Sequence, residues 1–261
     1  AIFAALEKKV QPAHGPLPTL ADVHEPLVRL ATGFVEVDRA LGGGLVQGSS
    51  ILLPGNAGTG KTTLLLQIAA VFTSYDPVLY VSGEESTKAI RATASRVSAD
   101  NARITVLGHD EIARRDLDME GILAEALRLG AGAVIADSIQ TMRFESVNAD
   151  YGTPTQVRGV ANALTGFAAA WGVTVVALSH VTAEGTVAGG QAVEHLFDAV
   201  AFLERDFEDN FDDEGECIDP MRRVLSIPTK NRHGLTPATA HLRMTDKGLV
   251  NAPTKARLTV V

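Results

Sequence analysis

The sequence has a single cysteine and no apolar stretch long enough to cross a bilayer. One cysteine, Cys217, cannot form an internal disulfide or a zinc site built from paired cysteines, which is typical of proteins from a reducing compartment. The apolar runs are far shorter than the roughly 20 residues of a membrane-spanning helix, and no secretion-signal pattern begins the chain. We therefore expect a cytoplasmic protein that makes no contact with membranes.

Basic residues are also scarce, since 23 Lys and Arg face 31 Asp and Glu, which leaves a formal net charge of −8. Such a charge argues at first against a polyanionic partner, because proteins that bind nucleic acid usually present a basic surface. The excess of acidic residues is confined to one segment, however. Nine of the acids and only one basic residue, Arg205, lie within residues 204–219, so the remainder of the chain is neutral.

Apolar runs and helical patterns alternate along most of the 261 residues, a length that can bury one full α/β core. Residues 1–30 carry four prolines with little periodicity and are predicted to form an extended N-terminal arm or linker, which leaves residues 31–261 for one domain. Strand-like apolar runs are found at 50–53, 78–82, 104–107, 133–136, 173–179 and 199–203. The alternation predicts an α/β fold with a mostly parallel twisted sheet and helices on both faces.

Two more strand-like segments follow at 222–228 and 239–244, after an acidic insertion at about 205–219. They are predicted to form a C-terminal β-hairpin at the edge of the domain.

A glycine-rich segment between the first apolar run and the next helical pattern matches G-x-x-x-x-G-K-[ST], a phosphate-binding loop. Glycines let consecutive backbone N–H groups turn towards phosphate oxygens, the lysine reaches the β and γ phosphates, and the hydroxyl can ligate Mg²⁺. The alternative, a chance glycine turn, does not explain the flanking strand and helix patterns. The sequence therefore predicts a site for ATP and Mg²⁺ formed by Gly55, Asn56, Ala57, Gly58, Thr59, Gly60, Lys61, Thr62 and Thr63.

Two other predicted strands end in acidic residues. Asp137 can hold the magnesium shell through water, beside the Thr62 hydroxyl that ligates the metal directly. Glu84 is the predicted base that orients the attacking water, and Arg96 on the following helix could stack on adenine. The structural alternatives are a helix N-cap for Asp137, a first-turn acid for Glu84 and a solvated surface residue for Arg96.

Several longer motifs resemble the bacterial RadA/Sms branch of the RecA superfamily, over about residues 17–250. The segments 32–38 and 41–45 are similar to an opening that RadA shares with archaeal recombinases and KaiC-like ATPases. More specific matches to RadA are found at 81–86, 137–141, 156–158, 179–185, 193–195 and 230–234. The resemblance implies a RecA-like P-loop ATPase core that forms a homo-oligomeric ring, expected to be a hexamer, with ATP at subunit interfaces and DNA in the channel.

The resemblance also gives roles to residues that the local pattern leaves open. Lys230 and Arg232 match the charged pair of the family's Lys-Asn-Arg-Phe-Gly signature and would reach the γ-phosphate bound by a neighbouring subunit. His180 would sense the γ-phosphate from the end of its strand. Without the family, these residues are a basic turn and a satisfied histidine at a strand end.

Two loops are implied to face DNA in the channel. Arg143 and Arg158 would contact DNA phosphates from the first loop, and residues 182–191 would form the second loop, which changes conformation with nucleotide. Two mobile surface loops are the alternative.

The sequence departs from the family pattern in three respects. It contains neither the four-cysteine zinc module nor the Lon-protease-like domain of the family, so we expect an isolated ATPase core. His233 occupies the signature position of Phe, and the acidic segment 206–219 is longer than expected.

These observations favour an ATP-dependent DNA-binding motor that acts in recombination or repair on single-stranded or branched DNA. One alternative is an ATP-gated oligomeric switch or scaffold without DNA activity, which the negative charge favours. Another is a metal-dependent nuclease, in which Asp137 and the acids of 204–219 place two metal ions, although such runs of acids are more often solvated.

Overall fold

A computed structural model of the chain describes residues 26–150, 152–181, 186–187, 189–206 and 217–252. Most of the predicted N-terminal arm and residues 207–216 of the acidic insertion lie outside these ranges. The helices of the described part are α1 (Val35–Ala40), α2 (Lys61–Phe72), α3 (Thr87–Arg96), α4 (His109–Arg115), α5 (Met119–Leu129), α6 (Pro154–Trp171) and α7 (Gln191–Glu194). The strands are β1 (Arg29–Leu30), β2 (Leu45–Val46), β3 (Ser50–Pro54), β4 (Val78–Ser82), β5 (Ile104–Leu107), β6 (Ala133–Asp137), β7 (Thr174–Ser179), β8 (Ala199–Val200), β9 (Phe202–Arg205), β10 (Arg222–Ile227), β11 (Ala238–Thr245) and β12 (Gly248–Asn251).

Six strands form a parallel sheet in the order β5-β4-β6-β7-β3-β8. Its central strands are buried on both faces, which is why they are continuous apolar runs in the sequence. Leu53 and Ile135 face a core that includes α1, α2 and α3, whereas Leu52 and Val134 face a second core formed with α5 and α6. The predicted parallel sheet with helices on both faces is confirmed.

The remaining long strands form an antiparallel sheet in the order β12-β11-β10-β9, so the predicted hairpin of β10 and β11 is the centre of a four-stranded sheet. The apolar run 199–203, predicted as one strand, contributes to both sheets. Ala199–Val200 pairs with β3, and the chain leaves the parallel sheet after Ala201, whose N–H donates to the carbonyl of Leu52. An apolar pattern indicates burial and not strand pairing, and the residues of this run are buried or partly buried throughout, alternately in the first core and in the second.

Helix α6 begins and ends at residues that favour those positions. The hydroxyl of Thr153 accepts a hydrogen bond from the Gln156 N–H, Pro154 is the first helical residue, and Gly172 ends the helix with a left-handed φ of 66°. Neither α6 nor another helix of the described residues is long and apolar enough to span a membrane.

Candidate nucleotide-binding site

The predicted phosphate-binding loop connects the end of β3 to the start of α2, as the motif requires. Gly60 precedes the helix with a φ of 103°, and a Cβ there would lie 2.4 Å from the Met244 side chain. A Cβ at Gly55 would lie 2.5 Å from the carbonyl oxygen of Leu203. A side chain is therefore excluded at both positions, by backbone conformation at Gly60 and by close approach at Gly55.

Lys61 is the first residue of α2, and only 6% of it is exposed. Its ammonium donates to the carbonyl oxygens of Gly55 at 2.6 Å and Asn56 at 2.8 Å. Burial lowers the pKa of Lys61, whereas the carboxylates of Asp137 and Glu84 oppose this shift. The loop thus holds the ammonium on its inner side, among the groups that the sequence predicts to surround the phosphates.

Thr62 and Asp137 lie together, as predicted for a magnesium site. The Thr62 hydroxyl donates to Oδ2 of Asp137 at 3.1 Å, and the buried hydroxyl of Tyr80 donates to the same oxygen at 3.0 Å. Burial raises the pKa of Asp137, while the hydrogen bond from Tyr80 opposes that shift. A hydroxyl beside a carboxylate fits Mg²⁺, which prefers oxygen ligands and keeps several waters.

Sequence reasoning missed Tyr80. Its place in the middle of β4 makes it indistinguishable from a core aromatic residue, and it is fully buried. The only available signal was that a buried tyrosine hydroxyl needs a hydrogen-bonding partner.

Glu84 follows β4 and accepts two hydrogen bonds at one carboxylate oxygen. The hydroxyl of Ser138 donates to Oε1 at 2.6 Å, and Nε2 of His180 lies 2.7 Å from the same atom. The bond from His180 lowers the pKa of Glu84, and it raises the pKa of His180. Because β4, β6 and β7 are neighbours, their carboxyl ends bring these three residues together.

Arg96 reaches the same site from α3. Its guanidinium donates to the Thr63 hydroxyl at 3.3 Å and to the backbone carbonyl of Asp246 at 3.2 Å. A cavity of about 540 Å³ contains these groups and is lined, beyond the phosphate loop, by residues that include Glu84, Thr93, Arg96, Asp137, His180 and Met244. Arg96 and Met244 offer flat or polarisable surfaces on which a base could pack.

A larger cavity, of about 730 Å³, also borders the phosphate loop, between it and the antiparallel sheet. Its lining includes Asn56, Thr59, Glu204 and His241 but none of Lys61, Thr62 or Asp137. We therefore assign the nucleotide to the smaller cavity, because only that one contains the phosphate and magnesium ligands.

Lys230 and Arg232 lie apart from their own chain's nucleotide cavity, beside β8. The Lys230 ammonium donates to the carbonyl oxygen of His195 at 2.6 Å, and Arg232 pairs with Asp198 at 2.7 Å. His233 receives a hydrogen bond at its carbonyl from Arg29. Their predicted action on a neighbouring subunit stays a prediction.

The two predicted DNA loops meet in a groove of about 410 Å³. Arg158 lines this groove from α6, Gly189 lines it from the second loop and Ala192 from the adjoining α7, and residues 182–185 and 188 of the loop lie outside the described part. Arg143 lies elsewhere in the first loop, where its guanidinium pairs with the carboxylate of Glu145.

No group of three or more His, Cys, Asp or Glu that could hold a metal ion occurs in the described part of the chain. Asp206, the last described residue before the gap in the acidic segment, pairs with Arg222 at 3.0 Å and with His241 at 3.3 Å. Asp219, beyond the gap, pairs with Arg243. These carboxylates neutralise basic side chains and lie at the ends of antiparallel strands, not beside Asp137.

Residues 24–186 match the family model of the AAA domain. The chain belongs to this AAA domain family. A solved structure with the same fold is that of a KaiC-like protein from Pyrococcus horikoshii OT3, with a TM-score of 0.67 and 19% identity over 87% of this chain and 100% of that one. The predicted RecA-like P-loop ATPase domain is confirmed.

Among curated proteins, the chain is similar to the DNA repair protein RadA of several bacteria. It is 37% identical to that of Pseudomonas aeruginosa over 234 residues, 89% of this chain and 48% of the relative. It is 34% identical to that of Bacillus subtilis over 249 residues, 94% of this chain and 50% of the relative. The chain thus spans about half the length of these relatives, and its predicted resemblance to RadA is confirmed.

Proposed function

We propose that this AAA domain hydrolyses ATP and, as a ring of identical subunits, acts on single-stranded or branched DNA in recombination or repair. The observation that carries the proposal is a cavity that brings together Lys61, Thr62, Glu84 and Asp137, in the same domain as a groove formed by the two loops predicted to face DNA. The similarity to proteins named for DNA repair supports it.

The chain's own residues account for the steps of hydrolysis. Lys61 and the loop N–H groups bind and orient the phosphates, and Glu84 accepts a hydrogen bond from the attacking water and orients it. Thr62 and Asp137 would hold a magnesium ion, which would supply positive charge to the phosphates. His180 hydrogen-bonds to Oε1 of Glu84, so a contact between His180 and the γ-phosphate can change the position of the Glu84 carboxylate.

Each site is completed by a neighbouring subunit in this proposal. Arg232 is 57% exposed at its side chain, and its ion pair with Asp198 can exchange for a phosphate oxygen. The guanidinium fork binds phosphate well and would stabilise the charge that develops on the transferred group.

DNA contact is proposed for the groove beside α6. Arg158 forms no ion pair with the described residues, so its charge is available for a phosphate of the DNA backbone. The groove is otherwise lined by small and polar residues, among them Thr155, Gly159 and Asn162, which allow a backbone to approach closely.

The proposal is tested by measuring ATP hydrolysis with and without single-stranded DNA at low salt. We expect stimulation by DNA in the wild type, no hydrolysis in Lys61→Ala, and basal hydrolysis without stimulation in Arg158→Ala. Arg128→Ala, which removes an exposed arginine from α5, serves as the matched control. A wild type that neither binds DNA nor responds to it contradicts the proposal.

An ATP-gated scaffold without DNA activity is the second candidate. It is favoured by the net charge of −8 and by the pairing of Arg143 with Glu145, which leaves one predicted DNA arginine less available. Gel filtration with ATP, together with DNA binding at low salt, separates the two functions, since a scaffold assembles but does not bind DNA.

A further inference from the structure

Strand β10 carries an arginine where its pattern calls for an apolar residue. The strand alternates, with Arg223, Leu225 and Ile227 buried and the residues between them partly exposed. Leu225 and Ile227 belong to the core beneath α1 and α2, whereas Arg223 is a charged residue of which only 5% is exposed. Burying a charge is costly unless its donors are bonded, so this position needs a physical reason.

The guanidinium of Arg223 is bonded to three backbone carbonyl oxygens. Nε donates to Thr59 at 3.0 Å, and one terminal nitrogen donates to Pro220 at 2.9 Å and Arg222 at 2.7 Å. Among the described residues no carboxylate lies within ion-pair distance of it. Burial and the nearby Arg205 lower the pKa of Arg223, whereas the carboxylate of Asp219 opposes this shift, and the arginine keeps its charge.

The bond to Thr59 matters because Thr59 lies within the phosphate-binding loop. Its carbonyl belongs to the planar peptide group that also carries the N–H of Gly60, so fixing the oxygen also fixes the direction of that N–H. Gly60 itself has a φ of 103° and would otherwise be free to turn. Loop N–H groups bind phosphate only when they point to a common centre.

We propose that Arg223 is a positioning residue for the nucleotide phosphates, which clamps the Thr59–Gly60 peptide from the antiparallel sheet and adds a buried positive charge behind the phosphate loop. The inference rests on the proposed function only in that the site binds ATP. Arg223 touches neither the nucleotide cavity nor Lys61 and acts through the backbone of the loop.

Titrating the purified chain with ATP, ADP and AMP tests the inference. Arg223→Met keeps the bulk of the side chain and removes its donors, and the dissociation constants for ATP and ADP are expected to rise at least about tenfold, as for loss of a hydrogen bond to a charged group. AMP is expected to lose less, because fewer of its phosphates lie in the loop. Arg243→Met is the matched control, since it removes an exposed guanidinium from β11 in the same sheet and is expected to bind as the wild type.

A purely structural role is distinguished by thermal unfolding with and without saturating ATP. Such a role lowers both melting temperatures equally, whereas the proposed role also reduces the increase that ATP causes. If Arg223→Met does not fold, Arg223→Asn, which is polar but one methylene too short to place a nitrogen where Nε of Arg223 lies, takes its place. The role of Arg223 is overturned if the folded variant binds ATP with wild-type affinity, or if Arg243→Met loses as much affinity for ATP. If the wild type itself binds no nucleotide, the proposed function is refuted instead.

Discussion

Glu84 is the residue on which the proposed chemistry depends most directly. Its Oε1 is held by the hydroxyl of Ser138 and by His180, so the carboxylate has one oriented oxygen, while the second, Oε2, accepts no hydrogen bond from the described residues. A base held in this way can orient water without reorganising. The neighbouring Glu85 lines the same cavity and has a pKa raised by burial, which makes it the natural competitor.

Replacing Glu84 with Gln is therefore expected to separate binding from hydrolysis. The amide keeps the shape but cannot act as a base, so the rate should fall about 100-fold or more while ATP binding is retained. Single-turnover hydrolysis and nucleotide titration measure the two effects. Glu85→Gln is the matched control, and a larger loss in that variant would transfer the role of base to Glu85.

The pair of His180 and Glu84 also predicts a pH dependence of stability. The pKa of His180 is raised in the folded state, so its contribution to stability is fully present below the pKa of an ordinary histidine. That contribution is lost as the pH rises through the raised pKa. The pKa of Glu84 is lowered in the folded state, so its contribution to stability is present above the pKa of an ordinary glutamate. That contribution is lost only as the pH falls through the lowered pKa. The pair thus stabilises the fold at mildly acidic to neutral pH and ceases to do so in base.

We expect His180→Gln to lower the free energy of unfolding by less than about 1 kcal/mol near pH 6, because both side chains are about a third or more exposed. The loss should vanish near pH 9, and urea unfolding at both values measures it. His109→Gln, at an exposed position in α4, should show no such trend. An equal loss at pH 6 and pH 9 would refute the ion pair.

Among the individual elements, α6 packs on the face of the parallel sheet opposite to α2 and lines the proposed DNA groove. The helix contains two glycines in different surroundings. A Cβ at Gly159 would lie 2.5 Å from the side chain of Val147, whereas a Cβ at Gly166 would meet no atom within 4 Å. Gly159 therefore allows the first predicted DNA loop to approach the helix, and Gly166 has no such function.

These two glycines make a matched pair of substitutions. Gly166→Ala is expected to stabilise the domain by about 0.5–1 kcal/mol, because alanine loses less backbone entropy in a helix. Gly159→Ala is expected to destabilise it by about 1–3 kcal/mol, because the added methyl overpacks against Val147. Chemical denaturation of both variants gives the values, and an equal effect of the same sign would show that the loop does not pack on α6 as described.

At the scale of the whole molecule, the separation of Arg232 from its own nucleotide cavity has a consequence for assembly. If each site combines Lys61 of one subunit with Arg232 of another, inactive chains can complement one another. Lys61→Ala and Arg232→Ala are each expected to lose most ATP hydrolysis. Mixing them should restore part of it, because random mixing in a ring with head-to-tail interfaces leaves about one site in four intact.

The mixing experiment is compared with each variant alone at twice its concentration and with a mixture of Lys61→Ala and Glu84→Gln, in which no subunit carries both Lys61 and Glu84 and no site is restored. Recovery only in the mixture with Arg232→Ala locates that arginine on a neighbouring subunit. No recovery, with both variants folded and able to exchange subunits, would place its action within one chain or outside the reaction.

Much of the nucleotide site could be predicted, because the phosphate-loop motif and the pattern of strands each depend on residues that are close along the chain. Lys61 and Thr62 follow directly from the loop, and Asp137 and Glu84 follow from strand ends that a parallel sheet must bring to one edge. The division of residues 199–203 between two sheets could not be predicted, since the run is apolar and at least partly buried throughout and its pattern does not show where the pairing strand changes.

The phosphate loop, the order of strands and helices, and the resemblance to RadA can all be recognised in the sequence, because each depends on residues that are close along the chain. Which distant groups meet is visible only in the folded chain. In the sequence, Tyr80 resembles an ordinary core residue and Arg223 an ordinary surface residue. In the structure, Tyr80 donates a hydrogen bond to Asp137 and Arg223 donates one to Thr59. A buried polar group needs a hydrogen-bonding partner, and which residue becomes that partner depends on tertiary packing and not on the spacing of residues along the chain.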